Sequence, residues 1–182
     1  MLPRATGVRT PRGDGGQGRG RSQEIQRLIG RCLRAVTDLE ALGERTVLLD
    51  CDVIQADGGT RTAAVTGAYV ALYQALHGLV KHRVLRDVPL NSAVAAMSVG
   101  IVNGEPFLDL TYEEDVRAQV DFNVAMSDTG LLVEVQGAAE GAPFSNETVT
   151  KLIDLAGKGM ETLFLAQRQA IQTILSGRGP GG

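Results

Sequence analysis

Between residues 93 and 136 hydrophobicity alternates with a period of two over four short segments, and on both sides it switches to the period of a helix. Strands patterned this way must bury an apolar face, and the flanking helical stripes are what they can bury it against. The four segments fall at about 93–102, 106–112, 121–127 and 131–136, with Asn103-Gly104 and Thr129-Gly130 supplying turn chemistry for two hairpins. Upstream, Ile25, Leu28, Ile29, Cys32, Leu33, Val36 and Leu39 recur at helical spacing, with Ser22 as N-cap and Gly43 closing the helix. The run TVLLDCDVIQ at 46–55 reads as a strand, with Val47, Leu49, Cys51 and Val53 on one face and Asp50 and Asp52 on the other. The turn ADGG at 56–59 leads into a second helix over about 62–81. Ser145 caps a last helix whose buried face carries Val149, Leu152, Ile153, Ala156, Met160, Leu163, Phe164, Ile171 and Ile174, and Gly157 and Gly159 are expected to bend or interrupt it. This order predicts an α+β domain with helices packed on a mixed sheet. The first helix needs a sheet face to lie on, yet no strand precedes it in the chain.

The core of such a domain must be built from Leu, Val, Ile and Ala, because aromatics are only 4% and Trp is absent. No apolar run approaches the ~20 residues of a membrane span, and no signal peptide is legible, so no membrane partner is expected. Cys32 and Cys51 are too few for a disulfide framework or a zinc site. Both are expected as buried thiols in a reducing cytoplasm. Residues 1–21 form a Gly-rich arm carrying Arg4, Arg9, Arg12, Arg19 and Arg21 against Asp14 alone, while the net charge of the chain is −3. The domain then occupies 22–176, and 177–182 are disordered by composition. A basic arm on an acidic body suits a phosphate backbone. A solvated tail with no partner fits the composition equally well.

Two helix starts offer phosphate chemistry. Arg21-Ser22 opens the first helix and Gly58-Gly59-Thr60-Arg61-Thr62 the second, each with free backbone N–H groups, a helix dipole and an Arg fork. Either alone reads as an ordinary cap; the pair raises the phosphate reading. The near-match to a nucleotide-binding loop at Gly15–Ser22 is rejected, because Arg21 replaces the lysine and no strand precedes it. Asp109, Glu113, Glu114, Asp115 and Asp121 lie within 13 residues, which suits either a solvated acidic turn or a hard cation such as Mg²⁺. His77 and His82 lack a metal-ligand partner, and Ser98 and Ser127 lack the base of a hydrolase triad.

The segments MLPRAT (1–6), EIQRLIGRCLRAV (24–36), DCDVIQADGGTRTAAVTGAYVAL (50–72), VAAMSVGIVNG (94–104), LDLTYEEDVRAQVDFNV (108–124) and EVQGAAEGAPFS (134–145) together resemble the ribonuclease PH family. The resemblance implies the family's split β-α-β fold and a tRNA nucleotidyltransferase that trims 3′ ends with inorganic phosphate, releasing nucleoside diphosphates. It implies phosphate binding by Arg21, Gly59, Thr60 and Arg61, and a catalytic, metal-binding pair at Asp115 and Asp121 that takes Mg²⁺ or Mn²⁺. It further implies RNA binding by Arg4, Arg9 and Arg12, processing of tRNA and rRNA, and a homohexameric ring in the cytoplasm. The family normally has several strands before the segment matched by MLPRAT, so Met1 corresponds to an internal methionine and the fold is expected to be N-terminally truncated. A second reading follows from that departure: a non-catalytic paralogue acting only as an RNA-binding or ring partner.

Overall fold

The computed structural model of the protein describes residues 19–176. Helix α1 (Arg19–Ala35) is followed by the single turn α2 (Leu39–Leu42) and by α3 (Thr60–Lys81). Strands β1 (Val94–Val102) and β2 (Glu105–Leu108), helix α4 (Tyr112–Arg117), strands β3 (Val120–Ser127) and β4 (Leu132–Ala139), and helix α5 (Asn146–Leu175) complete it. The four strands form one sheet in the order β2-β1-β3-β4. All three pairings are antiparallel, so the expected mixed sheet is corrected.

Strand alternation sorts the core into two layers. Ala96 on β1 and Ala125 on β3 face a cluster built from α1 and α3, including Leu28, Cys32, Val65, Leu72 and Leu76. Ala95, Met97 and Val99 on β1, with Val120, Phe122, Val124 and Met126 on β3, face α5 through Leu152, Ala156, Met160 and Phe164. The two central strands are therefore buried on both sides, which is why their sequences are almost continuously apolar. Each large side chain so enclosed contributes about 1.5–3 kcal/mol. Gln167 ties the layers together: its amide donates to the carbonyls of Thr66 on α3 and Val94 on β1, both at 2.9 Å.

Most elements fall where the sequence places them, and the departures have physical causes. Ser22 lies inside the first turn of α1 rather than capping it, and the helix stops at Ala35. Gly43 instead closes α2, which Asp38 caps by accepting from the Ala41 N–H at 2.9 Å. The chain turns between them because Asp38 and Asn91 donate to Pro89 and Val36, stitching this corner to the segment before β1. Helix α5 runs without a break through Gly157 and Gly159. Gly159 marks a close approach instead, since a Cβ there would lie 2.7 Å from Leu108 of β2.

The expected strand at 46–55 does not form. A strand exists only through a ladder, and among the described residues no segment pairs with it. Its apolar face is therefore left partly open, with Val47 37% and Leu49 38% exposed. Cys51 is likewise exposed, against expectation, whereas Cys32 is fully buried and burial pushes its thiol up to about 12, leaving it unreactive. Helix α3 is also long and apolar enough, by length and composition alone, to cross a membrane, which corrects the reading that no run approaches a span. Its Val65, Leu72 and Leu76 are spent on the core. His77, half-buried, stacks on Tyr73 with centroids 6.2 Å apart.

Candidate active site

The loop before α3 can be made only by glycine. The Tyr112 N–H donates to the Asp57 carbonyl, pinning the loop to the start of α4. Gly58 has φ 137° and passes so close to the Leu110 carbonyl that any side chain would collide with it. Gly59 is the N-cap of α3 at φ 53°, and it supplies no side-chain acceptor. The first turn of a 22-residue helix is thus left without a side-chain cap, and an open cleft lies beside it. The cleft has a volume of 660 Å³ and runs along α3 beside residues 49–59, with Thr60, Met97 and Asp109 in its wall. Such a helix start favours an anion.

Arg61, in the first turn of α3, is turned to two carboxylates. Its Nη1 donates to Glu24 Oε1 of α1 at 3.1 Å, and its Nη2 lies 3.5 Å from Asp121 Oδ2 of β3. Register places Asp121, the second residue of β3, between Gly100 of β1 and Ala138 of β4, so the carboxylate stands between neighbouring strands at one end of the sheet. Burial raises its pKa from the ordinary aspartate value, the Asp115 carboxylate on α4 adds to the rise, and Arg61 opposes it.

The acidic cluster read from the sequence is thereby sorted. Glu114 is structural: it completes a capping box with Thr111, accepting from the Thr111 N–H at 2.8 Å and from its hydroxyl at 2.9 Å. Those bonds hold its carboxyl below the usual range. Asp115 stays exposed on α4 and acts electrostatically on Asp121. Together they suit a hard cation of the Mg²⁺ type, which takes one or two carboxylates and fills its remaining positions with water and phosphate oxygens. Among the described residues no group of three or more His, Cys, Asp and Glu side chains could hold a metal by itself.

The fold brings together the two helix starts picked out in the sequence. Arg21 is exposed, one turn before Glu24 on α1, and Glu24 holds Arg61. Gly59, Thr60, Arg61, Asp115 and Asp121 converge on one end of the sheet. Arg4, Arg9 and Arg12 lie outside the described residues. Sequence reasoning missed Glu24, whose pairing with Arg61 spans 37 positions and leaves no local mark. It also missed α4, although Thr111-x-x-Glu114 spells a capping box.

An open helix start, an arginine and two carboxylates at a sheet end are a set of groups suited to phosphate-ester chemistry. Sequence comparison makes this particular. Residues 1–76 match domain 1, and residues 92–159 domain 2, of the 3′ exoribonuclease family. The ribonuclease PH of Moorella thermoacetica is 55% identical over 183 residues, covering 100% of this chain and 73% of that protein. The ribonuclease PH of a Synechococcus species is 61% identical over 151 residues, covering 83% of this chain and 61% of its own length. Among solved structures, rice Rrp46 superposes with a TM-score of 0.67 at 17% identity, covering 87% of this chain and 68% of that one. An Archaeoglobus fulgidus exosome with RNA bound to the active site superposes with a TM-score of 0.66 at 17% identity, covering 91% and 67%. The chain belongs to the ribonuclease PH family of 3′ exoribonucleases.

Proposed function

We propose that this chain removes 3′-terminal nucleotides from tRNA precursors by phosphorolysis, releasing nucleoside diphosphates. The observation that carries the reading is Arg61, set between the uncapped start of α3 and the Asp121 carboxylate. Gly59, Thr60 and Arg61, with Arg21 from α1, hold inorganic phosphate through backbone N–H groups and guanidinium forks. A phosphate oxygen bonds to the phosphorus of the last phosphodiester as the P–O3′ bond breaks. The terminal nucleotide departs as a diphosphate, and the shortened RNA keeps a 3′-hydroxyl. The departing oxygen takes its proton from the attacking hydrogen phosphate or from solvent, and the Asp121 carboxylate beside it assists that transfer. Asp115 and Asp121 would hold Mg²⁺ or Mn²⁺, which supplies positive charge opposite that oxygen.

The non-catalytic reading is not favoured, since the chain aligns over its whole length with a ribonuclease PH. Sequence-independent grip on RNA falls to Arg4, Arg9 and Arg12 in the basic arm. A homohexameric ring acting in the cytoplasm on tRNA and rRNA ends is the wider assignment, supported by the family resemblance. The test incubates the purified chain with a 3′-extended tRNA and Mg²⁺, with and without phosphate. Diphosphates formed only with phosphate support the reading, and monophosphates formed without it refute it.

The Glu24 contact yields a second expectation. Glu24 is half-exposed and competes with phosphate for Arg61, so an ion pair worth about 0–1 kcal/mol opposes binding. Glu24→Gln should lower the KM for phosphate about twofold to fivefold. A KM that rises would mean that Glu24 orients Arg61 rather than competing for it.

A further inference from the structure

Two polar groups beside the phosphate cleft have no part in the mechanism above. Asp109 follows β2 in the left-handed region, at φ 56°, and its carboxylate is exposed in the cleft wall. Its N–H donates to the Ser98 carbonyl at 2.8 Å, which fixes it over β1. Ser98 is 4% exposed, and its hydroxyl is buried with no hydrogen-bond partner. Both side chains point at the same place: a Cβ on Gly59 would lie 3.3 Å from Ser98 Oγ and 3.5 Å from Asp109 Oδ1. A buried hydroxyl left unpaired costs about 1–3 kcal/mol, so its survival next to an unassigned carboxylate points to a ligand group.

Charge decides what that group is. The start of α3 attracts an anion, whereas the Asp109 carboxylate beside Gly59 repels one. The part of the substrate that meets Asp109 must therefore be a neutral hydrogen-bond donor within one nucleotide of the phosphate. The terminal ribose has such a donor in its 2′-hydroxyl, which can give to the Asp109 carboxylate. Resting on the exoribonuclease reading, we infer that Asp109, supported by Ser98, recognises the 2′-hydroxyl of the 3′-terminal nucleotide. This makes Asp109 a specificity-determining residue for RNA over DNA ends.

The test compares one RNA ending in a ribonucleotide with the same RNA ending in a single 2′-deoxynucleotide. Asp109→Gly removes the carboxylate at a backbone position that suits glycine, and Asp109→Asn keeps the shape without the charge. Both should lower kcat/KM on the ribose end about tenfold or more. Neither should change the deoxy end, so the wild-type preference collapses while the KM for phosphate holds. Ser98→Ala should give a smaller loss with the same selectivity. An equal loss on both ends overturns the inference, as does a loss cured by raising Mg²⁺, which would make Asp109 a metal ligand. If the wild-type chain ignores phosphate on either end, the exoribonuclease reading itself has failed. If it uses phosphate and Asp109→Gly discriminates as well as wild type, this inference alone has failed.

Discussion

Asp121→Asn should reduce phosphorolysis about a hundredfold to ten-thousandfold, the range of a lost acid–base group, while leaving RNA binding in place. Folding does not compete as an explanation, and the sign of the pKa shift shows why. The Asp121 pKa is raised by burial and by Asp115, so the native state holds this proton more tightly than the unfolded chain does. Ionisation of Asp121 therefore costs stability as the pH climbs from the ordinary carboxylate range through the raised value. That cost grows as the pH rises through the raised value, and Asn removes it. The variant should melt at or above the wild-type temperature. Asp115→Asn should show a comparable loss of metal-dependent turnover, and it should shift the acid limb of the Asp121-dependent pH profile downward by removing a neighbouring charge. Normal turnover in both variants would take the pair out of the site, and a melting temperature that fell steeply in Asp121→Asn would assign it to the fold instead.

Arg61→Ala should raise the KM for phosphate about tenfold to a hundredfold, the worth of one or two charge-assisted hydrogen bonds. The core does not depend on this side chain, which is only half-buried and contacts two carboxylates at the surface. Circular dichroism should therefore be unchanged. Lysine should restore little, because a point charge cannot serve Glu24, Asp121 and a phosphate oxygen with the geometry of a planar fork. The substitution should also lift the Asp121 pKa further, since Arg61 is the one group opposing its rise, and move the pH optimum upward. Unchanged phosphate dependence in an active Arg61→Ala protein would count against the phosphate assignment.

What the sequence reveals about this protein follows the range of the forces involved. Local patterns carry the elements: the Asn103-Gly104 hairpin forms with both residues at positive φ, and Ser145 caps α5 by accepting from the Thr148 N–H. The loop and helix start proposed to hold phosphate were legible for the same reason, because Gly58-Gly59-Thr60-Arg61 writes them in consecutive letters. Long-range facts were not. The alternation of Val47, Leu49, Cys51 and Val53 is a real strand signal, but it becomes structure only when another strand supplies hydrogen bonds. Glu24 was read as one polar position on an amphipathic helix, and only the packing of α1 against α3 carries it to Arg61. Asp109 and Ser98 are eleven residues apart on separate elements, and nothing in their spacing predicts that both face Gly59. The carboxylates were found as a cluster, and it took the capping box to separate Glu114, which holds α4, from Asp115 and Asp121.

The most direct test of phosphorolysis is the origin of the oxygen joined to the released nucleotide. The reaction would be run in water enriched in ¹⁸O with unlabelled phosphate, a 3′-extended tRNA and Mg²⁺, and the products weighed by mass spectrometry. Attack by phosphate held at Gly59, Thr60 and Arg61 predicts nucleoside diphosphates free of solvent oxygen. Nucleoside monophosphates carrying one ¹⁸O would mean that water is the nucleophile, and the phosphate site described here would not be one.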